Sequence, residues 1–217
     1  MMNFKFSIFI SYRQNDGDKK FLRNFKKLIE CEAQKVTNEK VFFDEDSIDW
    51  GKEFDDKIYE SIVASYFFIP IYHFGYLHVD NIWCARELYH ALEVEKIIRD
   101  KIDNKNHCYI LPVIFRGNKN ELPCCIRKKK AKEIRQLEAL ITSNKTSNGL
   151  IKFKNYIYDT FLSNYKILYF GNINLKELCT QIHIPTDEEI RKWIKEQNEG
   201  IKKVQSTKIP RLKKNEE

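Results

Sequence analysis

A chain of 217 residues has room for one sizeable α/β domain with an extension, and too little for two ordinary domains. Its 42% hydrophobic and 13% aromatic content supports a packed core and excludes general disorder, and no apolar run approaches the ~20 residues that cross a bilayer. The net charge of +7 is an excess that an enzyme with anionic substrates carries as easily as a nucleic-acid binder, and it is local: between Ile126 and Lys154 there are nine Lys/Arg and two Asp/Glu, the whole surplus. The cysteines Cys31, Cys84, Cys108, Cys124, Cys125 and Cys179 form no CxxC pair and no zinc spacing with histidine. The N-terminus lacks the features of a secretory signal, so they are expected to be reduced thiols in a cytoplasmic protein that holds no metal.

Residues 4–12 alternate Phe4, Phe6, Ile8 and Ile10 with Lys5, Ser7 and Ser11 and predict the first strand. A polar loop, Arg13-Gln14-Asn15-Asp16-Gly17, leads to a helix from about Asp18 with Phe21, Leu22, Phe25, Leu28 and Ile29 on one face. Val41-Phe42-Phe43 is a short buried strand, followed by acidic Asp44-Glu45-Asp46 and a loop containing Gly51. Phe54, Ile58 and Ile62 recur every four residues and mark a second helix. The apolar run 66–72 is a third strand; its Pro70 belongs near the strand end or on an edge, since proline cannot donate to the ladder. A third helix runs from Asn81 or Ile82 to about Arg99, capped by Asp80 or Asn81. Residues 109–115, with Pro112, are expected as the fourth strand and 165–170 as the fifth, followed by a short helix over 175–182.

Strands alternating with helices imply right-handed crossovers and a parallel sheet in an α/β fold. Between 116 and 164, Leu122-Pro123 opens two extra helices. The basic run Arg127-Lys128-Lys129-Lys130-Ala131-Lys132 is placed at the start of a helix to Ile141, as a solvated face, with nucleic-acid or partner contact the lesser reading. The expected division is one domain over 1–184, including an extra helical connection at 116–164, and a C-terminal helix and charged tail over 185–217.

In such a sheet, ligands bind outside the carboxyl ends of the strands. The loops 12–17, 44–52 and 73–80 meet there. On the third helix, Ile82, Ala85, Leu88, Tyr89 and Leu92 cluster as the expected core face. Trp83 and Glu87, four apart, stack on one another on the opposite side. A tryptophan and a carboxylate together at the ligand end suggest a site, although helical geometry alone favours a surface Glu and a Trp covered by a neighbouring loop.

The segments Phe9-Ile10-Ser11-Tyr12-Arg13, Val41-Phe42-Phe43-Asp44, residues 47–51 before a helix, and Trp83-Cys84-Ala85-Arg86-Glu87-Leu88 resemble the successive motifs of TIR (Toll/interleukin-1 receptor) domains, in order and at the family's spacing. The resemblance covers residues 4 to about 115 and implies a flavodoxin-like fold with about five parallel strands and helices on both faces. The tryptophan–glutamate pattern most resembles the NAD-cleaving TIR enzymes, in which that glutamate is essential. By resemblance, then, Glu87 is the catalytic residue of an NAD⁺ glycohydrolase or ADP-ribosyl cyclase, and NAD⁺ is substrate, with no cofactor implied. Tyr12 and Arg13 are expected to contact the nucleotide, Arg13 pairing with the diphosphate. Trp83 is expected to pack against ribose or nicotinamide. The loop 44–52, with Asp44, Trp50 and Lys52, corresponds to the family's BB loop, which reaches over the active site and mediates assembly. Trp50 departs from the small or aliphatic residue expected there and points to an interface anchor.

The chemistry suits one carboxylate. The nicotinamide of NAD⁺ is already cationic and leaves as a neutral base, so charge develops on the ribose as in glycoside hydrolysis. The resemblance further implies an assembly of this chain through the TIR loops on activation and a separately encoded sensor or effector partner, as in bacterial anti-phage defence systems. Neither a membrane nor nucleic acid is an expected partner. Two other readings stay open: a non-catalytic TIR interaction module, and a nucleoside 2-deoxyribosyltransferase-like enzyme. The five histidines have no ligand spacing, and no GxGxxG, P-loop or GxSxG pattern occurs.

Overall fold

The structure is a computed structural model that describes residues 4–13, 18–43, 53–73, 75–80, 82–104, 107–143, 145–171, 173, 177, 180 and 182–206, without the side chains of 53–56 and 200–206. Five parallel strands form one sheet in the order β2-β1-β3-β4-β5, with β1 at Phe6–Tyr12, β2 at Lys40–Phe43, β3 at Phe68–Tyr72, β4 at Val113–Ile114 and β5 at Lys132–Glu133. This is the flavodoxin-like order, whose switch point lies between β1 and β3. The α/β class and the parallel sheet expected from the alternation of elements are both present.

Helix α1 (Lys19–Ala33) buries Phe21, Leu22, Phe25 and Ile29 and packs on α5 (Glu138–Ser143) and α6 (Asn148–Phe170). Helix α2 (Glu53–Val63) packs on α3 (Trp83–Lys101). The two groups cover the two faces of the sheet. Between them Phe9 stacks on Phe42 and Phe68 at 4.7 and 5.4 Å, so the core is aromatic where β1 meets both neighbours.

Four expectations need correction. Residues 165–170 are the last turns of α6, not a strand. Leu150, Phe153, Ile157, Phe161 and Leu168 are buried at helical spacing, and Ser147 caps the helix by accepting from the Leu150 N–H at 3.2 Å. The fifth strand is instead Lys132–Glu133, at the end of the basic run. Lys132 N–H bonds to the Pro112 carbonyl at 2.9 Å and Ile134 N–H to the Ile114 carbonyl at 2.9 Å. Consequently the run is no single solvated helix face: a four-residue helix α4 (Cys124–Arg127) ends at its first residue, and Lys129 turns inward to pair with buried Glu95.

The third correction concerns proline. Pro70 lies in β3, which is interior, paired with Ser11 of β1. Phe68 and Tyr72 hydrogen-bond toward β4, so by the two-residue period Pro70 also faces β4. Opposite it is Pro112. The β3–β4 ladder lapses there, between an isolated bridge at Phe68–Ile110 and the pairs Ile71–Val113 and Tyr72–Ile114. Two prolines facing one gap shorten the expected strand 109–115 to two residues.

Fourth, Ile82 is the N-cap of α3, with no side-chain cap bond. The helix is also rotated by roughly a quarter turn from its expected setting. Cys84, Ala85, Glu87, Leu88, Ala91, Val94, Glu95 and Ile98 are buried, whereas Tyr89 and Leu92 lie on the flank. Glu87 therefore points into the protein.

The reason is a helix at the C-terminal end. Helix α7 (Asp187–Ser206) opens with Thr186 and Glu189 capping each other: Glu189 N–H donates to Thr186 Oγ1 at 3.3 Å, and Thr186 N–H to Glu189 Oε2 at 2.7 Å. It buries Ile190 and Ile194, and the Trp193 ring meets Tyr89 edge-on at 5.8 Å. That covers the α3 flank the sequence pattern assigns to the core.

Candidate active site

Both faces of β1 are covered, so a polar residue on it must find a partner inside the protein. Ser11, near the carboxyl end of β1, is 1% exposed and donates its hydroxyl proton to Glu87 Oε2 at 2.5 Å. Glu87 itself is 5% exposed. A third group joins them: the Tyr76 hydroxyl lies 2.5 Å from Ser11 Oγ. A serine hydroxyl has one proton. With that proton on Glu87, Tyr76 is the donor to Ser11. Burial first, then the neighbouring Cys84 thiol and Glu87 carboxylate, push the Tyr76 phenol well above its usual range, so it keeps its proton.

Tyr76 belongs to the loop after β3, and that loop is fastened at several points. Tyr76 N–H turns back to the His73 carbonyl at 3.0 Å, through Gly75 at a φ of +83°. Arg13 Nη1 donates to the Gly75 carbonyl at 2.7 Å, and a Cβ on Gly75 would meet that same nitrogen at 2.5 Å. From the other side, Arg191 of α7 donates to the Val79 carbonyl at 2.5 Å and Asn198 to the Leu77 carbonyl at 3.3 Å. The loops after β1 and β3 thus meet at the switch point, with α7 strapped over the second.

Trp83 is half-buried at the first turn of α3, one turn before Glu87. The Arg86 guanidinium lies 5.3 Å from its ring centroid and pairs with Asp187 at the start of α7. His90, one turn beyond Glu87, meets the Tyr59 ring edge-on at 4.9 Å. Burial, with help from Arg86 and His183, lowers its pKa to about 4, so it is neutral near pH 7.

Of the residues singled out in the sequence, Glu87, Trp83, Tyr12 and Arg13 fall at this end of the sheet. Tyr12 is buried, its ring stacked on Phe43 at 4.5 Å. Asp44, Trp50 and Lys52 lie outside the described residues. A cleft of about 390 Å³ lined by Arg116, Gly117, Asn118, Glu121, Arg135 and Glu138 opens beyond β4 and contains none of the predicted residues. Among the described residues no group of His, Cys, Asp and Glu could hold a metal, and no helix is long and apolar enough to cross a membrane.

A profile of the TIR domain family matches residues 5–103. Those residues are a TIR domain. Among solved structures, the chain is similar to the TIR domains in the structure of the activated Roq1 resistosome directly recognizing the pathogen effector XopQ. Identity there is 16% and the TM-score 0.36, over 82% of this chain and 99% of that one. The comparison with curated proteins gave no match.

The matched TIR domain supplies β1, β2, β3 and the helices α1 to α3, and so all of the Tyr76–Ser11–Glu87 chain. The elements β4, β5 and α4 to α7 lie beyond the match; they complete the sheet and cover α3. Sequence reasoning missed Ser11 and Tyr76. Ser11 stood in the first motif, and the signal was a hydroxyl on a strand with both faces covered. Tyr76 had no periodicity to mark it, since a loop gives none.

Proposed function

We propose that this TIR domain cleaves the nicotinamide–ribose bond of NAD⁺, with Glu87 as the catalytic carboxylate. The observation that carries the reading is a buried glutamate at the β1/β3 switch point, held by Ser11 from the carboxyl end of β1. Nicotinamide departs with the electrons of the C1′–N bond as a neutral base, and positive charge develops on C1′ and the ring oxygen. The Glu87 carboxylate offsets that charge and fixes the ribose hydroxyls. Water then adds at C1′ and loses a proton, giving ADP-ribose; attack by the adenine ring instead would give a cyclic isomer. Trp83 at the rim supplies an apolar face for ribose or nicotinamide, and Arg13, with one nitrogen on Gly75, turns the rest of its fork to the diphosphate.

Activity is proposed to require assembly through the 44–52 loop, or a separately encoded partner, as befits an enzyme that depletes NAD⁺ in defence against phage. The deciding experiment incubates purified protein with NAD⁺ over a wide concentration range and separates the products by chromatography. Nicotinamide appearing with ADP-ribose or a cyclic isomer supports the reading. Intact NAD⁺ throughout would leave the chain as a TIR interaction module.

A further inference from the structure

We infer that Tyr76 is a positioning residue for the Glu87 carboxylate and acts through the Ser11 hydroxyl. This rests on Glu87 being the reacting carboxylate of the preceding reading. Ser11 Oγ lies 2.5 Å from both the Tyr76 hydroxyl and Glu87 Oε2. It has one proton to give and accepts another, so the two bonds run in one direction, from tyrosine to serine to glutamate. Ser11 and Tyr76 are 1% and 0% exposed, which leaves water no access to replace either bond. Each bond in such a chain polarises the next, so the tyrosine donor strengthens the serine as a donor and holds its rotor toward Glu87.

The tyrosine in turn is placed by the residues that fasten its loop. Arg13 clasps the carbonyl just before it, and α7 holds the carbonyls of Leu77 and Val79 just after it. The orientation of Glu87 thereby depends on a loop after β3 and on a helix outside the matched TIR range. A glutamate on α3 that only shielded itself from solvent would need neither.

The test compares wild type, Tyr76→Phe, Ser11→Ala and the double variant. Each protein carries ¹³C at its glutamate side-chain carboxyls, and the Glu87 resonance is the one absent from Glu87→Gln. Ser11→Ala removes the donor outright and shifts that resonance. Tyr76→Phe is expected to shift it in the same direction by less, and to add nothing in the Ser11→Ala background. In kinetics, Tyr76→Phe lowers kcat about 3- to 10-fold with KM unchanged, the loss of one neutral hydrogen bond acting on a transition-state group. A Glu87 resonance that moves in Ser11→Ala and stays still in Tyr76→Phe overturns the inference. So does Tyr76→Phe acting equally with and without Ser11. The carbon shift needs no turnover: if wild type releases no nicotinamide, the NAD⁺ reading falls and the shift still decides the role of Tyr76.

Discussion

The Ser11 hydroxyl and the Glu87 carboxylate, 76 positions apart in sequence, meet at 2.5 Å where β1 ends beneath the first turns of α3. The bond makes Glu87→Gln an informative change, because a glutamine oxygen still accepts from Ser11 while the charge is gone. The variant should fold as wild type by near-UV circular dichroism and lose ~10²–10³-fold or more of its NAD⁺ turnover. A folded variant retaining more than about a tenth of the activity sinks Glu87 as the catalytic group.

Trp83→Ala should lower NAD⁺ cleavage more than Lys128→Ala does. Trp83 is half-buried one turn before Glu87 with Arg86 over its ring, whereas Lys128 is exposed in the turn after α4. Steady-state rates at saturating NAD⁺ decide it: a silent Trp83→Ala beside an inactive Lys128→Ala would put the site elsewhere.

Lys129 is a different case from its neighbour. Glu95, 3% exposed, pairs with Lys129 and with Arg99 at 2.8 Å, and accepts the N–H groups of Tyr109 and Ile110 at 3.0 Å each. Losing one of four donors to a buried carboxylate costs about 1–3 kcal/mol. Lys129→Ala should therefore lower the urea midpoint clearly while Lys128→Ala leaves it unchanged; equal midpoints would mean the pair contributes nothing.

Stability should fall on mild acidification. His90 and His107 are both lowered to about 4, His90 by burial and the cations near it, His107 by burial first, with Glu95 opposing and Arg99 and Lys129 adding to it. Both ring nitrogens of His107 lack a partner among the described residues. Between about 6.5, the ordinary histidine value, and 4 the unfolded chain binds more protons than the folded one. Stability is thus full above pH 6.5 and lost as pH falls toward 4, with a slope of up to about 1.4 kcal/mol per pH unit from each histidine. Urea unfolding at pH 7.5, 6 and 5 should display this slope, and His107→Gln should flatten it. A slope identical in the variant assigns the effect to other groups.

Assembly is checked by dilution. If docking through Trp50 favours the active state, specific activity rises with protein concentration, since the shift is limited by differential affinity for the two states. Repeated head-to-tail contacts would appear as growing particles in light scattering. Trp50→Ala should blunt both rises. A flat specific activity in a monomeric sample would end the loop-docking mechanism.

The sequence by itself determined the α/β class, the first three strands and helices, and the place of Glu87 one turn after Trp83. Those features rest on local periodicity: two in β1, about 3.6 in α1 to α3, and an i, i+4 spacing that any α-helix enforces. It misplaced the fifth strand because a short, mostly apolar segment such as 165–170 fits a strand or the end of a helix equally well. Only a 23-residue α6 packed along α1 decides between them. The partners were decided in three dimensions alone. Which face of α3 is inward depends on α7 covering Tyr89, and the place of Pro70 inside the sheet depends on Pro112 lying opposite, across the gap in the ladder. Ser11 and Tyr76 converge on Glu87 from a strand and a loop 65 positions apart. Periodicity reports how a segment meets an average core, whereas a hydrogen-bonded chain needs three side chains within 2.5 Å contacts. That placement comes from the β1/β3 register and the clasp of Arg13 on Gly75, which no local pattern encodes.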